Sequence, residues 1–271
     1  MKRRDFMAMA AAAAFDKLPA RQTGKPAIAF KSPGPHPNGL QATDEGLWII
    51  DQSDGSKAYL VSYDDGRVIR QFETETDKSS GITFDGRSLW IGSTYSREIV
   101  RVDARTGKTL ERHFTPGAGV IYRMSSDPPA RSSPLAKPPA AAPGPVPEVG
   151  SPEPSSKAAG TGAHGQEWRD GYLWFAAPPA REVYRIDPKT WVVQNKFPTA
   201  GNRPHGIAWE GRYLWVTDSN LNAFFKHDAE TGEMVEKIQL SASDPLPHGM
   251  TIHQGYLWYC DDVGVVCRLK L

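Results

Sequence analysis

The sequence predicts an all-β fold: a five-bladed β-propeller of four-stranded antiparallel blades, closed by an N-terminal strand. Three observations carry this. A Leu-Trp pair recurs five times, as Leu47-Trp48, Leu89-Trp90, Leu173-Trp174, Leu214-Trp215 and Leu257-Trp258. The pairs lie about 42 residues apart, with one gap of about twice that, and a period near 40 to 45 is the length of a propeller blade. The last copy stops after its third strand, so its fourth must come from elsewhere in the chain.

The chain opens on Met1-Lys2-Arg3-Arg4-Asp5-Phe6-Met7 and an Ala-rich run to Phe15, which resembles a twin-arginine export signal over residues 1–20. Leu18-Pro19-Ala20 is the candidate cleavage site. The apolar run is too short to span a bilayer, so a protein outside the cytoplasm, periplasmic or extracellular, is expected. Residues 26–271 then read as a single propeller domain, expected to act as a monomer. Its first segment, Pro26-Ala27-Ile28-Ala29-Phe30-Lys31, has the apolar character to pair with the last strand, Val265 to Leu271, and lock the ring.

The fourth copy shows one blade in full. Pro204-His205-Gly206-Ile207-Ala208-Trp209 leads through a Gly turn at Gly211 into Tyr213-Leu214-Trp215-Val216-Thr217-Asp218. Ala223 to Asp228 is a third strand, and Val235 to Leu240 a fourth. The turn between them, Asp-x-x-Thr-Gly, recurs at Asp103–Gly107, and at Asp187–Thr190 with Trp191 in the Gly place. One such sheet cannot bury both its faces, and radial stacking solves this.

The doubled gap holds residues 118–162, a Pro/Ala-rich insertion between blades two and three that contains Lys137-Pro138-Pro139-Ala140-Ala141-Ala142-Pro143. It has no Leu-Trp, and its proline density forbids a sheet ladder, so disorder is expected rather than a sixth blade. Cys260 and Cys267 are the only cysteines; a two-residue turn at Val263-Gly264 would set them opposite each other, as a disulfide or as two core thiols. The formal net charge of +1, with both signs interspersed, excludes a nucleic-acid groove.

Strand parity places the residues just before each first strand and the ends of the second strands on one face. The first set is Asn38-Gly39, Ser80-Gly81, His164-Gly165, His205-Gly206 and His248-Gly249. The second includes Asp51, Asp218 and Asp261. Imidazoles with carboxylates suit a divalent metal, with His164, His205 and His248 as ligands, and equally suit acid–base work. Asp51, His164 and Glu167 are the candidate catalytic groups. Asn38, Asp218 and Asp261, with Tyr122 and Arg123 from the insertion acting as a lid, are candidate ligand-binding groups. The alternative is scaffold: in WD-type repeats a His and an Asp hydrogen-bond within one blade, and blades four and five have both. His164 lacks an Asp and Asp51 lacks a His, which singles out these two for function.

Two family resemblances follow from these residues. Pro204-His205-Gly206-Ile207 through Asp218, repeated as Pro247-His248-Gly249-Met250 through Asp261, resembles the repeat of streptogramin lyases, seven-bladed propellers that open a cyclic depsipeptide by metal-assisted elimination. Asn38-Gly39-Leu40 with Gly46-Leu47-Trp48, and Gln166-Glu167-Trp168-Arg169-Asp170-Gly171, resemble the five-bladed glutaminyl cyclases, although Ile49 stands where that family carries Glu. The resemblances imply a small-molecule ligand and either lyase or cyclotransferase chemistry. A non-catalytic binding or scaffold propeller is the third reading.

Overall fold

The structure, a computed structural model, describes residues 17–53, 55–137, 147–153 and 160–271. The expected leader lies outside them except for residues 17–20. Twenty strands form five four-stranded antiparallel sheets. Blade one is Pro37–Ala42, Leu47–Asp51, Lys57–Val61 and Val68–Glu73 (β2 to β5), and blade two is Ser79–Phe84, Ser88–Ser93, Glu98–Asp103 and Thr109–Phe114 (β6 to β9). Blade three is Gln166–Arg169, Tyr172–Ala177, Glu182–Asp187 and Val192–Pro198 (β10 to β13). Blade four is Pro204–Glu210, Tyr213–Asp218, Ala223–Asp228 and Met234–Gln239 (β14 to β17). Blade five joins Met250–His253, Tyr256–Asp261 and Val265–Lys270 (β18 to β20) to Ala27–Lys31 (β1), which pairs antiparallel with β20. The ring is closed by both ends of the chain, as the incomplete last repeat requires.

The core is five separate clusters, one at each blade interface, and this explains the Leu-Trp repeat. Successive side chains of a strand point to opposite faces. Leu47 and Ile49 therefore pack toward blade five with Phe30 and Trp258, while Trp48 and Ile50 pack toward blade two with Leu89 and Ile91. Trp90, Trp174 and Trp215 do the same at the next three interfaces. The second strand of every blade is buried on both faces, so it reads as an unbroken apolar run rather than an alternating one. Each fully buried Leu contributes about 2 kcal/mol.

At the axis the blades meet backbone to backbone. A Cβ on Gly81 would lie 1.5 Å from the carbonyl oxygen of His164, one on Gly165 2.0 Å from that of His205, and one on Gly249 2.4 Å from Gly39 Cα. The glycine after each polar residue of the repeat is thus required by close approach and not by turn geometry.

The cysteines lie differently from expectation. Asp261 pairs with Val265, so the turn has three residues, and Tyr259, not Cys260, stands opposite Cys267. A one-residue offset puts the two sulfurs on opposite faces of the sheet. Cys260 packs toward blade one and Cys267 toward blade four, both buried as free thiols.

The described residues of the insertion make specific contacts with the blades. They pair as a short ribbon, Gly119 with Thr161 and Tyr122 with Pro152, and then cross the ring. The Arg131 amide donates to Asn220 Oδ1 at 3.1 Å, Ser133 Oγ to Asp261 Oδ2 at 2.6 Å, and Arg181 forms a two-pronged ion pair with Asp127. Prolines bar a sheet ladder but leave carbonyls and side chains free for such contacts.

Candidate functional site

A ring of polar side chains caps the glycine belt, one from each blade: Asn38, Ser80, His164, His205 and His248, all buried. Ser80 Oγ donates to Asn38 Oδ1 at 3.1 Å. The three imidazoles stand side by side, with centroids 4.9 Å apart for His164 and His205 and 4.5 Å for His205 and His248. Above them is a cavity of about 260 Å³, lined by Asn38, the three histidines, Arg203 and Asp262, and roofed by Ile121, Ala130 and Glu153 of the insertion.

Each imidazole is oriented by a different neighbour. His164 Nε2 is 2.9 Å from Thr161 Oγ1, while its buried Nδ1 has no partner among the described residues. His205 Nδ1 is 2.8 Å from Ser219 Oγ, whose proton goes to the Pro247 carbonyl; the imidazole therefore donates. His248 Nε2 lies 3.4 Å from Arg203 Nη2 and 3.5 Å from Asp262 Oδ2. Burial disfavours the charged form of all three, and the Arg203 cation adds to this. His164 is pushed down to about 3 and His248 to about 4, and His205 also lies well below 6.5, so all three are neutral at neutral pH.

The carboxylates play another part. Asp51 accepts from the His36 amide, Asp218 from the Arg203 amide and Asp261 from the Leu246 amide, at 2.8, 2.9 and 2.7 Å. In each case the partner lies fifteen residues upstream, in the loop leading to the same blade's first strand. Asp51 and Asp218 also bind the amides of Ser53 and Leu221 in the following turn. These three aspartates are staples between two loops of one blade, and they hold backbone amides rather than the histidines. The His–Asp pairing of WD-type repeats is thus absent from blades four and five. Asp218→Ala is expected to destabilise the protein by about 2 kcal/mol, since two amides lose their acceptor. In urea unfolding, Asp262→Ala should stay within about 0.5 kcal/mol of the parent, and equal losses for the two would remove the distinction.

Other expected residues are placed apart from the cavity. Glu167 is buried opposite Trp174 in β10 and β11, and burial raises its carboxyl well above the usual range, but it does not line the cavity. Tyr122 is exposed, and it and Arg123 are bound into the ribbon through their backbones, because Ile121 is the residue of that strand that turns inward. Among the described residues the set of three whose ligand atoms lie within 4.8 Å of one another is His248, Asp261 and Asp262, a group that could hold a metal ion; the three imidazoles do not form such a set. The sequence reading missed Arg203 and Asp262. Arg203 precedes Pro204-His205, where other blades carry His36 and Leu246, so the repeat gives no signal there.

No protein-family model and no curated protein matches this chain. Among solved structures, the glutaminyl cyclase of Myxococcus xanthus superposes with a TM-score of 0.62 at 10% identity, over 93% of this chain and 98% of that one. A catalytically inactive virginiamycin B lyase from Staphylococcus aureus, solved with quinupristin, aligns at 0.49 and 18% identity over 87% of this chain and 66% of its own. A streptogramin B lyase aligns at 0.48 and 18% identity over 89% and 96%. What is shared is architecture: the chain is a five-bladed β-propeller similar in fold to the glutaminyl cyclase.

Proposed function

We propose that this protein is exported by the twin-arginine route and binds a small polar molecule in the axial cavity, together with a divalent cation. The observation that supports this is the convergence of three neutral imidazoles and one guanidinium on a roofed cavity of about 260 Å³. That volume is close to the lower end, about 300 Å³, of ordinary ligand sites, so the ligand is small. Neutral imidazole is the state that ligates metal and donates hydrogen bonds. A general base works best with a pKa near the operating pH, and values of about 3 and 4 are far below it. Binding is therefore better supported than proton transfer by these histidines.

His248 and Asp262 would hold the cation, with Asp261 beside them already bound to Ser133 and Leu246. When bound, such an ion supplies Lewis-acid polarisation of a ligand oxygen. The remaining roles belong to the chain. Arg203 neutralises an anionic group, His205, its proton fixed on Nδ1, accepts at Nε2, and His164 offers its Nδ1. The lyase and cyclotransferase readings rest on the repeat residues and on folds of low identity.

Calorimetric titration with Zn²⁺ and Mn²⁺ tests the proposal. Uptake of about one ion per chain is expected, lost in His248→Ala and kept in His164→Ala, with both variants as stable as the parent to within about 1 kcal/mol. Equal uptake by the parent and His248→Ala would refute the metal assignment. For the ligand, His164→Ala should abolish the binding of any small molecule recovered with the purified parent, and retention of that molecule would refute the cavity.

A further inference from the structure

The repeat contains an internal comparison on the face opposite the histidines. In blades two to five the Trp of the second strand stands directly across from a cation on the third: Trp90 with Arg101, Trp174 with Arg185, Trp215 with Lys226 and Trp258 with Arg268. The cation lies over the indole at 5.3, 5.3, 5.6 and 5.7 Å from the ring centroid. In blade two a single oxygen, Asp85 Oδ2, accepts from Trp90 Nε1 at 2.9 Å and pairs with Arg101 at 3.4 Å. In blade four Glu210 Oε2 does the same, 3.2 Å from Trp215 Nε1 and 2.6 Å from Lys226 Nζ. Both acids lie five residues before their Trp; blade three carries Arg169 in that place, and its Arg185 pairs with Glu230 at 2.7 Å instead.

Blade five has the donors without the acceptor. Five residues before Trp258 stands His253, which stacks flat on Tyr63 at 4.4 Å. Trp258 is 4% exposed, and its buried Nε1 has no hydrogen-bond partner among the described residues. Among the described residues Arg268 has no carboxylate partner, and its guanidinium lies over the rings of Tyr256 and Trp258 at 5.4 and 5.7 Å. Trp258, Arg268, Tyr256, Tyr63 and His253 line a cavity of about 420 Å³, with Glu45, which is paired to Arg70, and Asp64 also on its wall.

The geometry points to a carboxylate site: a small organic monocarboxylate binds in this cavity, one oxygen taking the place that Asp85 and Glu210 fill in blades two and four, between Trp258 Nε1 and the Arg268 guanidinium. A buried indole N–H and an adjacent cation form a charge-assisted pair of donors with a position already defined by the fold. The stacked Tyr63–His253 pair and Tyr256 supply flat apolar walls, which favour a carboxylate carried on an aromatic body. The site is separate from the axial cavity and independent of what binds there.

The probe is benzoate, with benzamide as its uncharged control, followed through the Trp258 indole N–H signal in a ¹⁵N-labelled protein. Benzoate should shift that signal saturably and benzamide should not. Arg268→Gln should weaken benzoate at least about tenfold. His253→Glu, which installs the missing carboxylate from within, should abolish benzoate binding and raise the melting temperature. The proposal is overturned if benzoate leaves the Trp258 signal unmoved, if benzamide shifts it equally, or if His253→Glu binds benzoate as the parent does.

Discussion

Replacing Gly81 with alanine is expected to unfold or nearly unfold the propeller, with a loss of at least about 3 kcal/mol. The new methyl carbon would sit 1.5 Å from the His164 carbonyl oxygen, and its next neighbours are the carbonyl carbon of His164 and the side chain of Gln166. None of the first two can rotate away, because His164 is tied by its amide to Ala176 O, and Gly165 O to the Ala176 amide. Relief requires blades two and three to separate, which opens the cluster holding Trp90, Leu173 and Phe175. Gly24→Ala, with nothing within 4 Å and no positive φ, is the matched control and should be neutral. A Gly81→Ala protein with the parent's denaturant midpoint would show that the blades can slide at the axis.

Stability should also fall steeply with acid. His164, His205 and His227 are buried, and burial lowers their proton affinity, to about 3 for His164 and about 4 for His227. From their ordinary value of 6.5 down to those values, the unfolded chain binds protons that the folded chain refuses. Stability is therefore complete above about pH 6.5 and is lost as pH falls toward about 4. Buried carboxyls act oppositely: Glu167 and Asp218 are raised by burial, and Asp261 to about 6, so the folded state takes up protons there first. The loss continues below the compensation from Asp261, because His164 and His227 refuse protons down to about 3 and 4 while Asp261 is already half-protonated at about 6. His227 is far from the axial cavity, stacked on Phe197 at 5.1 Å with Nδ1 donating to Gly232 O at 3.1 Å, so it isolates the effect. His227→Gln should flatten the curve of melting temperature against pH in chelator. An identical slope in parent and variant would refute the assignment.

Much of the site was legible because it is repetitive. Asn38, Ser80, His164, His205 and His248 occupy one place in five blades, and counting from each Leu-Trp pair is enough to bring them to one end of the axis. The aspartates were equally legible in position but not in role. A carboxylate at the end of a second strand can face the cavity or its own blade's loop, and only the distances to His36 N, Arg203 N and Leu246 N decide between them. Arg203 and Asp262 were not legible at all, since neither holds a residue type that recurs from blade to blade.

The sequence by itself determined the number of blades, the strand order within each and the closure by an N-terminal strand, read as residues 26–31 and observed as Ala27–Lys31. These follow from local hairpins and an apolar period, and short-range chemistry sets both. Only the tertiary structure decided which face each side chain takes. The three-residue turn after Asp261 moved Cys267 off Cys260, and the crossing of the insertion put Ile121, not Tyr122, over the histidines. It also left Trp258 and Arg268 without the acid that blades two and four supply. One residue of register, or one blade's substitution, reverses such an outcome while leaving the repeat that specifies the fold unchanged.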